Sequence, residues 1–182
     1  MNYISPIGAL RIEVTEKGLK AIKYLSQEEA DMHSENAKPK SEKERGYIAM
    51  CVSVLNRYFA KQWGAFEQLR SNIPLDLEGT DFQKKVWATI YSMPNTYPIA
   101  GICYSELAFL IGSPDSVRAC AKTCGENSIP IIIPCHRIIQ KDGTLGGYAG
   151  GIERKSWLLW HEGAAPKSLK SSILLQQPPQ AR

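Results

Sequence analysis

The 182-residue chain has no apolar run approaching the roughly 20 residues that a membrane-spanning helix needs. Its start, Met1-Asn2-Tyr3, carries neither the basic region nor the cleavage pattern of a secretion signal. The expectation is a reducing compartment, the cytoplasm of a prokaryote or the nucleus of a eukaryote. An even set of cysteines is also missing: Cys51, Cys103, Cys120, Cys124 and Cys135 make five, which fits free thiols better than a disulfide framework. No internal repeat, Walker-type loop or dinucleotide glycine fingerprint occurs, so the usual signatures of nucleotide-binding enzymes are excluded. The body of the chain lacks charge of one sign as well. Residues 1–80 carry 11 Lys+Arg against 11 Asp+Glu and residues 81–165 carry 8 against 7, so most of the net +4 lies in residues 166–182, with 3 against none. Bulk charge therefore gives no argument for a nucleic-acid partner.

What is present suits an α+β protein of two small domains. Leu10, Ile12 and Val14 alternate with Arg11, Glu13 and Thr15, and Glu16-Lys17-Gly18 supplies a turn before the apolar run 19–25: a β-hairpin with one wet face. Residues 26–45 are polar and read as a long surface loop, after which Ile48, Val52, Leu55 and Phe59 recur at helical spacing. Pro74 and Gly79 mark a boundary. The expected division is 1–72, a linker 73–79, a second domain 80–165, and a disordered tail 166–182 too poor in apolar residues to bury itself.

The second domain opens with a capping box, Thr80-Asp81-Phe82-Gln83, ahead of Val86, Trp87 and Ile90 on one helix face, which Met93-Pro94 ends. A short helix from Ser105 to Gly112 and another from Ser113-Pro114 to Gly125 read as helix-turn-helix, with Arg118 and Lys122 on one face. An αα-hairpin with a solvated basic edge fits the same pattern. Residues 129–133 are expected to form a buried strand leading to Cys135. The glycines of 146–151 let a backbone approach a flat ligand on which Tyr148 stacks, or make a mobile linker. A last helix is expected from Arg154 to Glu162.

The chemistry concentrates at residues 131–139, Ile-Ile-Ile-Pro-Cys-His-Arg-Ile-Ile, where a thiol, an imidazole and a guanidinium sit in a run too apolar for a surface loop. A thiol with a pKa near ~8.5 becomes a strong nucleophile when a base or cation favours its thiolate. His136 and Arg137 are candidates for that help. Glu162, in the final turn of its helix, opposes the helix dipole unless a cation such as His136 compensates or solvent screens it.

Residues Ile133 to Ile139 resemble the active-site signature of the O6-alkylguanine-DNA alkyltransferases. Matching features are Phe82-Gln83 with Val86-Trp87, Tyr104 before Leu107-Ala108, Ser116-Val117-Arg118-Ala119, Asn127, and Gly147-Tyr148-Ala149-Gly150-Gly151 through Trp157-Leu158-Leu159 to His161-Glu162-Gly163. The similarity is strong across 80–163; before that it rests on Ser5-Pro6-Ile7-Gly8 and the following strand. The resemblance implies an N-terminal ribonuclease-H-like sheet with a helix, and a mostly helical, winged helix-turn-helix-like second domain. It also implies a single-use repair protein that takes the alkyl group of O6-alkylguanine in double-stranded DNA onto Cys135. Acceptance of O4-alkylthymine is left open.

By that resemblance, Cys135 is activated through a water, His136 and Glu162, while Asn127 braces the turn before the active-site segment. Tyr104 assists rotation of the nucleotide out of the duplex and donates a hydrogen bond to the guanine. Arg118 fills the vacated space from the minor groove, with Ser113, Ala119 and Lys122 also at the DNA; Pro130, Pro134, Gly147, Tyr148 and Ala149 shape the pocket. No cofactor, no metal ion, no membrane and a monomer are implied. Two departures stand out: the connection 94–103 is about three residues longer than is usual for the family, and Ser128 replaces a frequent proline. Rival readings are a damage sensor without chemistry, against which Cys135 argues; a cysteine hydrolase; and a zinc module using Cys120, Cys124, Cys135 and His136, the first two of which also look like a buried helix face.

Overall fold

A computed structural model describes residues 1–32, 39–93 and 102–164. The expected disordered tail, His33 and most of the long 94–103 connection lie outside these residues. By its contacts the chain divides into two compact units, Met1–Glu78 and one beginning at Gly79. Among the described residues, no helix is long and apolar enough to cross a membrane.

The first unit is built on an antiparallel sheet of β1 (Asn2–Ser5), β2 (Gly8–Thr15) and β3 (Gly18–Tyr24), in that order. The hairpin read from the alternating pattern is β2–β3; β1 is an addition that four residues were too few to signal. Gly18, at φ +150°, lets the start of β3 pass against Pro74, whose carbonyl oxygen would lie 2.2 Å from any Cβ there. Leu10, Ile12, Leu19 and Ile22 are buried, and α2 (Glu42–Phe59) packs on β2 and β3. Ser41 caps α2 by accepting from the Glu44 amide at 3.1 Å, and Ile48, Cys51, Val54, Leu55 and Tyr58 form its buried stripe.

The expected surface loop 26–45 is not wholly a loop. It contains α1 (Gln27–Met32), where the Ser26 hydroxyl accepts from the Glu29 amide, and α2 begins within it. Local capping organises a stretch with too few apolar residues to show periodicity. A third helix, α3 (Trp63–Arg70), follows α2 and buries Phe66 and Arg70.

In the second unit the capping box forms: Thr80 Oγ1 accepts from the Gln83 amide at 3.2 Å and Gln83 Oε1 from the Thr80 amide at 2.7 Å, starting α4 (Asp81–Ser92). The Trp87 indole donates to the Thr123 carbonyl at 2.9 Å, fixing α4 against a later helix. Next come β4 (Ile102–Cys103), α5 (Tyr104–Leu110), a 3-10 turn Pro114–Ser116, and α6 (Val117–Gly125). Two short helices joined at Gly112-Ser113 thus lie where the sequence pattern puts them. After a turn Cys135–Arg137, β5 (Ile138–Ile139) pairs in parallel with β4, and α7 (Ile152–His161) closes the unit.

The expected strand over 129–133 does not exist. These residues form consecutive turns in which the Ile133 amide donates to the Ile129 carbonyl at 2.9 Å and Ile131 adopts φ +74°. Their β-branched composition signals burial, and all four isoleucines are buried. Extended pairing is prevented by the side chain of Asn127, which takes the backbone groups a strand would use. The short strand comes instead after the cysteine.

Candidate active site

Asn127 follows α6 and organises the segment behind it. Its Oδ1 accepts from the Ile129 amide at 3.0 Å, and its Nδ2 donates to the Ile133 carbonyl at 2.8 Å and to Cys135 Sγ at 3.0 Å. One side chain therefore folds the turn and holds the sulfur. Ile131 pays for the tight path with a left-handed conformation that a β-branched residue adopts at a cost on the order of 1–3 kcal/mol. Cys135 begins a 3-10 turn after Pro134, and β5 follows directly, so the pairing of Ile138 with Ile102 and Ile139 with Cys103 sets the cysteine turn beside the start of α5, where Tyr104 stands.

Cys135 is 4% exposed. Burial pushes the thiol up to about 11, while the Asn127 hydrogen bond, the Lys155 charge and the backbone amides of Cys135 and His136 work to lower it. The resting group is a thiol that already carries partners suited to a thiolate. Tyr104 is raised to about 12, first by burial and then by Cys124 and Cys135, so its phenol keeps its proton and can donate.

His136 is fully buried and pairs through Nε2 with Glu162 Oε1 at 2.8 Å. Arg137 grips the same carboxylate, Nε to Oε2 at 2.8 Å and Nη2 to Oε1 at 3.1 Å. Burial works to raise the Glu162 carboxyl, but the charges and hydrogen bonds of His136 and Arg137 outweigh it and hold the group well below the usual carboxylate range. Burial lowers His136, against the pull of Glu162. A neutral imidazole whose Nε2 meets a carboxylate carries its proton there, leaving Nδ1 as a bare acceptor. Nδ1 is buried without a hydrogen-bond partner.

Glu162 is not in the final turn of the last helix, as the pattern suggested. It is the C-cap of α7, and the cation that compensates it is the Arg137 guanidinium, with His136 as a hydrogen-bond partner.

Residues 81–164 match the family described as 6-O-methylguanine DNA methyltransferase, DNA binding domain. The chain is 44% identical over 108 residues to a probable methylated-DNA–protein-cysteine methyltransferase of Acanthamoeba polyphaga mimivirus, covering 59% of this chain and 67% of that one. It is 41% identical over 109 residues to the methylated-DNA–protein-cysteine methyltransferase of Shigella flexneri, 60% of each chain. The structure superposes on that of Mycobacterium tuberculosis OGT in complex with DNA with a TM-score of 0.66 and 32% identity, over 92% of this chain and 95% of that one. The chain belongs to the methylated-DNA–protein-cysteine methyltransferase family.

Within this family member, the structure gathers Cys135, Asn127, His136 and Glu162 into one connected group, with Tyr104 near the sulfur and the Tyr148 ring edge-on to His136 at 6.5 Å. Pro130 and Pro134 are buried nearby in sequence, whereas Gly147 and Ala149 are exposed. Arg118, Ala119 and Lys122 stand apart from that group on the exposed face of α6, opposite Cys120, Thr123 and Cys124, and Ser113 is half-buried at the turn between α5 and α6. Among the described residues, no three of His, Cys, Asp and Glu converge as a metal-ligand set.

Arg137, expected as a cation for the thiol, pairs instead with Glu162. One participant escaped the sequence reading. Lys155 was not singled out at all. It is 0% exposed, donates to the carbonyls of Ile138 at 2.6 Å, Leu145 at 2.5 Å and Gly147 at 3.5 Å, and lies 6.0 Å from the Tyr104 ring centre. Burial brings its ammonium down to about 8. It ties the glycine-rich segment to β5 and adds positive potential near the sulfur. The available signal was a lysine at the third turn-position inward from Ile152, on the face that carries Leu158 and Leu159. Gly146, at φ +65°, belongs to the same arrangement: a Cβ there would lie 3.3 Å from the Tyr104 hydroxyl.

Proposed function

We propose that this chain repairs O6-alkylguanine in double-stranded DNA by transferring the alkyl carbon to Cys135, once per molecule. The carrying observation is the buried Cys135 sulfur, held by Asn127 at 3.0 Å, beside a neutral His136 whose free Nδ1 is set by Glu162. The thiol proton passes, through a water, to His136 Nδ1. The sulfur attacks the alkyl carbon, the carbon–O6 bond breaks with its electron pair moving to the guanine, and the guanine takes up a proton, assisted by the Tyr104 hydroxyl. The product is a thioether, which needs no cofactor to form and which thiol reductants do not reverse.

Reaching such a carbon requires the nucleotide to leave the stack. The pair α5–α6 is the element for this: it enters the minor groove with Arg118 in the vacated space and Ser113, Ala119 and Lys122 against the DNA. Pro130, Pro134, Gly147, Tyr148 and Ala149 surround the extruded base. In this assignment residues 1–72 are a ribonuclease-H-like domain, 73–79 a linker, and 80–165 a winged helix-turn-helix-like alkyltransferase domain acting as a monomer. A cysteine hydrolase is disfavoured because the remaining ring nitrogen of His136, Nδ1, makes no direct hydrogen bond to the sulfur.

The test is intact mass and peptide mapping after mixing with an O6-methylguanine duplex. One added methyl on Cys135 and no second turnover are expected, and Cys135→Ser should give no transfer. Repair by the serine variant, or label on another residue, would overturn the reading.

A further inference from the structure

Glu162 has two ligands where a relay needs one. His136 and Arg137 are consecutive, yet the 3-10 turn that contains them directs both side chains at the same carboxylate, so that each oxygen of Glu162 receives a guanidinium hydrogen and Oε1 also receives His136. The Arg137 and Glu162 side chains are each 11% exposed, so water screens this pair little.

We propose that Arg137 is a positioning residue for alkyl transfer: its fork fixes Glu162 as an oriented carboxylate, and this keeps His136 neutral with Nδ1 free to take the thiol proton. The inference rests on the reading of His136 as the proton acceptor for Cys135. Without Arg137, the full negative charge of a buried carboxylate would fall to His136, and a second proton on the imidazole would be the cheapest way to balance it. An imidazolium has no acceptor nitrogen and so cannot serve as the base. The groups facing His136 all fit this account. Glu162, at the end of α7, favours the charged imidazole; Arg137 on its own turn and Lys155 on α7 disfavour it; the Tyr148 ring meets it edge-on; and Cys135 precedes it.

Two measurements decide the matter. In the wild-type protein, 15N shifts of His136 at pH 7 should show the proton on Nε2 and none on Nδ1. Single-turnover reaction with free O6-benzylguanine between pH 5 and 9 should show the acid limb of Arg137→Gln moved up by about one pH unit. That means a rate lower by up to roughly 10-fold at the acid end of the range, where the imidazole is largely protonated in both proteins, and close to wild type at pH 9, with Arg137→Lys restoring most of the wild-type profile. A proton on Nδ1 in the wild type, an unshifted Gln profile, or a loss by the same factor at every pH overturns the inference. Should the Gln variant not fold, the wild-type shifts and the Lys profile decide, since Lys keeps the charge. Benzyl transfer to Cys135 with an unshifted profile sinks the role of Arg137 and leaves the proposed function standing; failure of wild-type Cys135 to take up methyl from an O6-methylguanine duplex sinks the function itself.

Discussion

The two units of the chain bury polar side chains for different ends. In the unit ending at Glu78 the described ones are Ser5 and Arg70, and both have a partner close in sequence: Ser5 donates to the Gly8 carbonyl in the turn between β1 and β2, and Arg70 pairs with Glu67 three residues away. In the unit beginning at Gly79 they include Asn127, His136 and Lys155, whose bonds to Cys135, Glu162 and Ile138 span 8, 26 and 17 residues. A buried polar group left without a partner costs about 1–3 kcal/mol, so each such bond is a commitment that an aliphatic core would avoid. The first unit is an ordinary scaffold. The second departs from aliphatic packing around one sulfur, as folds do at functional sites.

The sharpest way to break the comparison is to remove the buried cation of each unit. Lys155→Met keeps the volume but leaves the carbonyls of Ile138, Leu145 and Gly147 without their ammonium, and should lower unfolding free energy by about 3 kcal/mol. Alkyl transfer should fall with it, because the glycine-rich segment loses its tether to β5. Arg70→Met removes the pair with Glu67 and the contact with the Phe66 ring, and whatever it costs in stability should leave transfer per folded molecule unchanged. Urea titration and a single-turnover assay on both variants check this. Equal losses in the two would show that the units do not differ in kind.

Acid is a gentler probe. His136 has a folded pKa below its unfolded value near 6.5, and Glu162 has one well below its unfolded value near 4.5. Both depressed groups contribute stability that is present above the unfolded pKa and lost as pH falls through the folded one. The second unit should therefore weaken progressively below about pH 6.5, and again below about 4.5. In the first unit the one buried thiol, Cys51, is raised to about 12, mainly by burial, so its contribution changes only in alkali. Amide protection, taken relative to the intrinsic exchange rate at each pH, should drop between pH 7 and pH 5 in α7 and around Asn127, with α2 nearly unchanged.

The parts of this contrast that the sequence disclosed share a cause. The hairpin β2–β3, the stripe of α2 and the capping box at Thr80 each follow from spacing over a few consecutive residues, and Cys135-His136-Arg137 is conspicuous as three reactive groups inside an apolar run. What escaped was set by tertiary partners. Residues 129–133 have strand composition, but the Asn127 amide claims the backbone groups of Ile129 and Ile133, and turns replace the strand. Lys155 looks like any lysine on a helix until three carbonyls from distant turns meet it. The short α3 offers Trp63, Phe66 and Arg70, too few positions for a periodic pattern to stand out.

The smallest effect tests the surface rather than the core. Lys122 on α6 is 78% exposed at its side chain, with Glu126 at 3.7 Å, and Lys20 in the first unit is 41% exposed with Glu78 at 3.0 Å. Replacing either by Ala should leave stability nearly unchanged, since exposed ion pairs contribute little. Their effects on DNA should separate. If the exposed face of α6 meets phosphate, Lys122→Ala lowers duplex affinity alike for all sequences and reduces the slope of log affinity against log salt by about 1, while Lys20→Ala leaves both unchanged. Equal losses from the two substitutions would mean that DNA responds to net charge alone, and the assignment of α6 as the docking helix would fall.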